Sequence, residues 1–213
     1  GSQSAGVADP WAGALPVAHW TLDENTGVLA KDAAGNGNNG TCSGSTCPTY
    51  NFTNRKLGSA AMQFDGVDDF IDITHQSNLN PGTGSFSISM WFNPRVVSGT
   101  PRILWKKAGT DDNDNGYYLM FNSNNARFNF GNGTSSVSRE SSALSTNKWY
   151  HIVGVWNTSN ILLYLNGDLK ISGSGLLGNI NATNNLQISG LPSTEYFNGT
   201  IDEVSIWNRS LSA

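Results

Sequence analysis

From about Val17 onward the chain alternates short apolar and polar runs with clusters of Gly, Asn, Ser and Pro, and no long stretch keeps a helical period. Period-two alternation marks strands that bury one face, and frequent turn residues between them mark a sandwich or barrel. The clearest run is SFSISMWF, where Phe86, Ile88 and Met90 point one way and Ser85, Ser87 and Ser89 the other. One face then meets a core and the other meets solvent or a groove. Tyr117 to Phe121 and Arg127 to Phe130 read as a hairpin across NSNNA, and Trp149 to Trp156 and Ile161 to Leu165 as another across NTSN. The chain then folds back at Asn166-Gly167, a dipeptide suited to two-residue hairpin turns. Strands around Leu186 to Ser189 and Ile201 to Trp207 bring the expected count to roughly a dozen. The pattern predicts an all-β, two-sheet antiparallel sandwich, one domain over 17–213.

Composition supports this. Charged residues are 13% of the chain, about half the usual ~25%, while 24 Gly and 26 Asn supply turns rather than helices. A net charge of −4 offers no basic surface for a phosphate backbone, which argues against nucleic acid as a partner. No apolar run approaches the ~20 residues of a membrane span, so membrane insertion is not expected. Gly1-Ser2 looks like a cleavage scar, and residues 1–16 read as a tag remnant and linker. Cys42 and Cys47 stand with four residues between them in TCSGSTCP, with no further Cys or nearby His. That spacing fits a loop-closing disulfide better than a zinc site, and a disulfide implies an oxidising compartment. Seven Asn-x-Ser/Thr triplets agree weakly with secretion, because chance alone yields several at this composition.

The succession AHWTLDENTGVLAKDAAGNGNNGT, KLGSAAMQFDGVDDFIDI, FSISMWF, NKWYHIVGVW, LYLNGDLK and FNGTIDEVSIWNRSLS resembles the laminin-G-like jelly rolls of the concanavalin A-like lectin/glucanase superfamily. The resemblance runs from Val17 to the end and implies a jelly roll. It does not single out one function, since that superfamily hosts lectins, adhesion modules, carbohydrate-binding modules and hydrolases. The family pattern continues past a segment like WNRSLS, so the end at Ala213 implies a module of a larger secreted or surface protein.

The resemblance also directs the search for sites. Glucanases of the superfamily carry E-x-D-x-x-E on one strand, and a retaining mechanism needs two carboxylates ~5 Å apart. This chain lacks that pattern. Asp202-Glu203 and Asp68-Asp69 are adjacent pairs, which a strand would send to opposite faces. His19, His75 and His151 are scattered, and no G-x-S-x-G occurs. Many members hold a calcium ion where the chain ends meet. The resemblance places such a structural ion at Asp23, the Gly66 carbonyl and Asp202, with Asp32 and Asn36 as weaker ligands, and oxygen ligands of this kind suit Ca2+. The alternative is that Asp23 and Asp202 only cap turns.

Two features bear on a ligand. The loop TDDNDNGYYLMFN imitates an EF-hand from Asp111 to Gly116, but its twelfth place is Asn122 and a strand follows at once, which excludes that motif. Asp111, Asp112 and Asp114 remain crowded, at a like-charge cost that a cation or ligand hydroxyls would relieve, unless the loop is simply solvated. Of seven Trp, those at 20, 91, 149 and 207 fall in the family's structural motifs and are expected in the core. Trp105, beside Arg102 and two lysines, is the candidate to line a groove with Tyr117 and Arg127. The overall expectation is a non-catalytic, secreted or surface module recognising a glycan or an extracellular protein. A spacer domain, or a hydrolase- or lyase-related module, are the rivals.

Overall fold

The computed structural model describes residues 15–174, 178–190 and 195–212; the expected linker over 1–16 lies, up to residue 14, outside these. Among the described residues, sixteen strands form two antiparallel sheets of eight. The back sheet runs β14 (Asp168–Ser174), β13 (Asn160–Leu165), β12 (Tyr150–Trp156), β7 (Phe86–Pro94), β16 (Asn198–Trp207), β5 (Ala61–Asp65) and β4 (Thr49–Asn51), with β1 (Ala18–Trp20) also paired to β16. The front sheet runs β11 (Ser136–Ala143), β10 (Asn125–Gly131), β9 (Gly116–Asn122), β8 (Arg102–Lys107), β15 (Leu186–Ile188), β6 (Ile71–Ile73), β3 (Gly40–Thr41) and β2 (Leu29–Ala30). The arrangement is the expected sandwich, a jelly roll.

The core lies between the sheets. Phe86, Ile88, Met90 and Phe92 of β7 are fully buried, as the alternation predicts, and meet the front sheet through Phe86–Tyr117 and Phe92–Phe121 ring contacts at 4.8 and 5.8 Å. Gly154 of β12 has no side chain because Phe128 of β10 occupies the space: a Cβ there would stand 2.3 Å from the ring. The expected hairpins form. Leu165 pairs with Asp168 across Asn166-Gly167, both at positive φ, as a tight two-residue turn with the twist of its strands requires. The turn between β9 and β10 is shorter than NSNNA, since Asn122 pairs with Asn125 and leaves only Ser123 and Asn124 between them.

Cys42 and Cys47 form the expected disulfide, Cα to Cα 5.0 Å. No helix among the described residues is long and apolar enough to cross a membrane.

One irregularity shapes a site. On β16, the register against β7 slips between Asp202 and Ser205, with Glu203 in the left-handed region at φ 53°. This bulge places one extra residue on β16 and resets its parity. Ile201, Val204 and Ile206 can therefore all enter the core. The bulge breaks the simple alternation expected for the Asp202-Glu203 pair.

Candidate functional site

The front sheet's outer face is built by cross-strand pairing. Asp72 pairs with Gln187, Gln187 with Trp105, Trp105 with Tyr118, Tyr118 with Asn129, and Asn129 with Ser138. Residues paired in this way share a face, so six strands contribute one row of side chains pointing away from the core. A neighbouring row holds Arg102, Met120, Arg127 and Glu140.

Trp105, Tyr118 and Met120 form a small apolar cluster separate from the core. Trp105 stacks on Tyr118 at 5.2 Å and 20°, and the Arg102 guanidinium lies 4.8 Å from the Trp105 ring and 5.2 Å from Tyr118. A guanidinium over aromatic faces is attracted by the ring quadrupoles. Tyr117, the expected partner of Trp105, is instead a core residue whose hydroxyl donates to Leu79 O at 2.8 Å. Consecutive strand residues face opposite ways, and it is Tyr118 that stands beside Trp105.

The loop between β8 and β9 closes this row at one end. Lys107 Nζ donates to the carbonyls of Asp111 and Asp112, both at 2.6 Å, and to Asn129 Oδ1 at 3.3 Å. Asp114 Oδ2 accepts from the Asp111 amide. Asp112 accepts from the Tyr118 hydroxyl at 2.5 Å and pairs with Arg127 at 2.6 Å. Partial desolvation works to raise the Asp112 pKa, but Tyr118 and Arg127 outweigh it and hold the carboxyl below its ordinary value. Burial pushes Lys107 down to about 8, against the pull of Asp112 and Asp114. The crowded aspartates are thus relieved from within, by Lys107 and Arg127. Asp111, Asp112, Asp114, Trp105 and Arg127 do come together, around Tyr118 rather than Tyr117.

Beside this cluster opens a cleft of ≈ 440 Å³, walled by Trp105, Thr110, Asn184, Asn185, Gln187 and Asp72. Asn185 Nδ2 donates to Asp72 Oδ2 at 2.7 Å and Gln187 Nε2 to Asp72 Oδ1 at 3.3 Å. The rim is fixed from below by Lys106, which is wholly buried and donates to the carbonyls of Ala182 and Asn184 at 3.1 and 2.7 Å. Burial lowers the Lys106 pKa to about 8. A cleft bordered by the edge of an aromatic ring beside a carboxylate and two amides can take an apolar sugar surface and bond its hydroxyls. Asp72, Asn185 and Gln187 carry no mark in the sequence, where each is an ordinary polar residue on a short strand or loop.

The expected calcium ligands separate into three places. Asp23 Oδ1 accepts from the Ser59 and Ala60 amides at 2.7 and 2.8 Å, and Asp202 Oδ2 from the Lys56 and Leu57 amides at 2.8 and 3.0 Å. The two carboxylates therefore share one turn, and Gly58 at φ 60° lets its backbone lie against Asp23, where a Cβ would stand 1.9 Å from Oδ2. Asp202 is fully buried, and its Oδ1 has no hydrogen-bond partner. Burial raises its pKa to about 6, with the negative charges of Glu203 and Asp23 acting in the same direction. A buried, unpartnered carboxylate oxygen near a second carboxylate fits a hard cation.

Gly66 is not part of this pair. It follows Asp65, which pairs with Asn198 at the far end of β5 from Ala60, about 20 Å away along an extended strand. It lies instead next to Asp65, Asp68 and Asp69, whose carboxylate oxygens are within 4.8 Å of one another. Asp32 is already saturated: it accepts from the amides of His19, Ala34, Asn36 and Asn38 and from Asn38 Nδ2, at 3.0–3.2 Å. Asn36 donates to Val17 O at 3.0 Å. Asp32 and Asn36 fasten the entering chain to β1.

The expected core tryptophans also divide. Trp20 is fully buried and donates to Asn38 O, but Trp91, Trp149 and Trp207 are half-buried. Trp91 alternates with core residues Met90 and Phe92 and so faces outward, stacked on His151 at 4.8 Å with Lys56 Nζ 4.2 Å from its ring. Trp156 at the end of β12 is the second tryptophan of the core. A second cleft of ≈ 330 Å³ lies on the back sheet between Trp207, Tyr164, Val153 and Val155. Its walls are apolar, and its Ser89–His151 pair is joined internally at 3.1 Å.

Solved structures share this fold. The binding domain of Paraclostridial mosquitocidal protein 1 superposes with a TM-score of 0.75 at 18% identity, over 93% of this chain and 50% of that one. The botulinum neurotoxin serotype D ligand-binding domain, solved with N-acetylneuraminic acid, gives 0.70 at 18% identity, over 93% and 48%. The chain thus spans about half the length of these toxin domains. Domain 4 of AbnA, an extracellular arabinanase from Geobacillus stearothermophilus solved with arabinotriose, gives 0.71 at 19% identity, over 92% of this chain and 94% of that one. At such identities the likeness is one of fold. No curated protein sequence matches the chain. The laminin-G family profile matches residues 65–213, more than half of the chain, and the protein belongs to that family of the concanavalin A-like lectin/glucanases superfamily.

Proposed function

We propose that the domain is a non-catalytic glycan-recognition module of a secreted or surface protein. The observation that carries this reading is the front-sheet cleft, where Trp105 borders the same space as Asp72, Asn185 and Gln187. The mechanism is reversible binding. A sugar ring rests its apolar face against the narrow strip of Trp105 that borders the cleft, the rest of that side chain being buried, while hydroxyls bond to the carboxylate and amides, with no covalent step. The polar wall is preorganised, because Asp72 is already held by both amides and Asn185 also accepts from the His75 amide at 2.9 Å. Side chains fixed before binding lose little entropy on binding. Relatives of this fold solved with arabinotriose and with N-acetylneuraminic acid support a sugar as the ligand class.

A structural Ca2+ ion belongs to the same proposal. Asp23 and Asp202 would hold it, the ion supplying positive charge to the unpartnered Asp202 Oδ1 and tying the first and last strands to the 56–60 turn.

The test is a glycan array probed with the purified domain, followed by titration calorimetry on the hits with wild type, Gln187→Ala and Trp105→Phe. Binding weakened by both variants is expected, with the melting curve unchanged in Gln187→Ala and lowered in Trp105→Phe, whose side chain is buried against Tyr118. Hits whose affinity neither variant alters would place recognition elsewhere and overturn the cleft.

A further inference from the structure

We infer that this cleft selects neutral over acidic sugars and that Asp72 is the selecting group; the inference rests on the glycan-binding reading above. It follows from how charge is distributed on the front sheet's outer face. Among the described residues, four cations lie on or under the part of that face that borders the cleft, and each is already engaged by the protein. Arg102 pairs with Glu195 at 3.0 Å, and Arg127 pairs with Asp112 at 2.6 Å and approaches Glu140 at 3.8 Å. The Lys107 ammonium is ringed by the Asp111 and Asp112 carbonyls and Asn129 Oδ1. The Lys106 ammonium is ringed by two carbonyls and His75 Nδ1. An ammonium has three protons to donate, so neither lysine has one left for a ligand.

Asp72 is the opposite case. Its oxygens meet only the neutral amides of Asn185 and Gln187, and among the described residues it makes no ion pair. Lys107 lines the same cleft, but its ammonium is turned to the Asp111 and Asp112 carbonyls and Asn129, and the carboxylates acting on it are those of Asp112 and Asp114. Among the described residues that line the cleft, the one charged group with hydrogen-bonding capacity left for a ligand is therefore the negative one. A carboxylate with lone pairs remaining is a strong acceptor for a sugar hydroxyl. The same charge opposes a sialic or uronic acid, whose carboxylate would find a like charge and no free cation. The cleft is thus matched to an uncharged, hydroxyl-rich oligosaccharide.

The experiment uses the intact domain on an array carrying neutral oligosaccharides, arabinotriose among them, and acidic ones, N-acetylneuraminic acid and glucuronic acid conjugates among them. Wild type is expected to bind neutral members at least tenfold better than acidic ones. Asp72→Asn keeps the shape, removes the charge, and is expected to weaken neutral binding roughly tenfold while narrowing the neutral-to-acidic ratio. Thr110→Lys puts a free cation on the exposed rim and is expected to raise the acidic signal without unfolding risk. Acidic hits in wild type that Gln187→Ala weakens would overturn the selectivity and leave glycan binding standing. Neutral hits with a ratio that neither Asp72→Asn nor Thr110→Lys shifts would remove Asp72 from the role. Absence of any hit overturns both readings at once.

Discussion

The Tyr118 hydroxyl donates to Asp112 Oδ1 at 2.5 Å, and through this bond the outer face of the front sheet holds the aspartate-rich loop in place. Tyr118 lies under Arg102 and against Trp105, so the loop, the aromatic pair and the cleft wall form one packed unit. Tyr118→Phe removes the bond but leaves Asp112 paired with Arg127, and a loss of about 1 kcal/mol in urea unfolding is expected. Asp112→Ala strands both the phenol and Arg127 and is expected to cost more, about 2 kcal/mol. Equal losses in the two variants would mean that the Arg127 pair adds nothing beyond the phenol bond.

The contact between Gly154 and the Phe128 ring fixes the distance between the sheets at that point. Gly154→Ala is expected to destabilise by about 1–3 kcal/mol, because the ring is enclosed in the core and must shift. Co-substitution Phe128→Leu should recover part of the loss, measurable as a double-mutant cycle.

The Asp23–Asp202 pair predicts a metal-dependent melt. Calcium should raise Tm and EDTA lower it, with about 2.7 kcal/mol of added stability at a hundredfold excess over Kd. Asp202→Asn should abolish the response. Identical wild-type melts in calcium and EDTA would remove the ion from the account.

In EDTA, Asp202 also sets a pH dependence. Its folded pKa, about 6, lies above its ordinary 3.8, so the folded state holds the proton more tightly than the unfolded state does. That stabilisation is complete below about pH 4 and is lost as pH rises through about 6. Wild type measured against Asp202→Asn should therefore become relatively less stable across that window. A flat difference would show that the buried carboxylate carries no such burden.

The Cys42–Cys47 bridge closes a short loop, for which chain entropy gives about 2 kcal/mol. Reduction, or the Cys42→Ser/Cys47→Ser double variant, should lower urea stability by that order without changing glycan affinity, since the loop does not line the cleft.

The long alternating segments are legible in the sequence because burial of one face is a local property of a strand. SFSISMWF, the β12–β13–β14 meander and the Asn166-Gly167 turn all follow from it. RILWKK does not announce itself as a strand, because all six residues are buried, on both faces, and a strand covered on both sides does not alternate. The two- and three-residue strands near the N-terminus are too short to show a period.

Trp105, Arg127 and the aspartates of 111–114 are recognisable as candidates because aromatic and crowded charged residues stand out in any sequence. Asp72, Asn185 and Gln187 are not, because nothing local separates a polar residue on a cleft wall from one on open surface. Side-chain parity made the choice between Tyr117 and Tyr118, between core and outer-face tryptophans, and at the Glu203 bulge. Parity depends on register, and register is set by pairing with strands distant in the chain. By itself the sequence determined an all-β sandwich, its principal hairpins, its disulfide and its family resemblance, since these rest on neighbours along the chain or on a succession of motifs. Only the tertiary structure decided which carboxylates meet, which aromatic borders the cleft and which charged group keeps bonding capacity for a ligand, because each of those depends on strand register and on segments brought together from distant parts of the sequence.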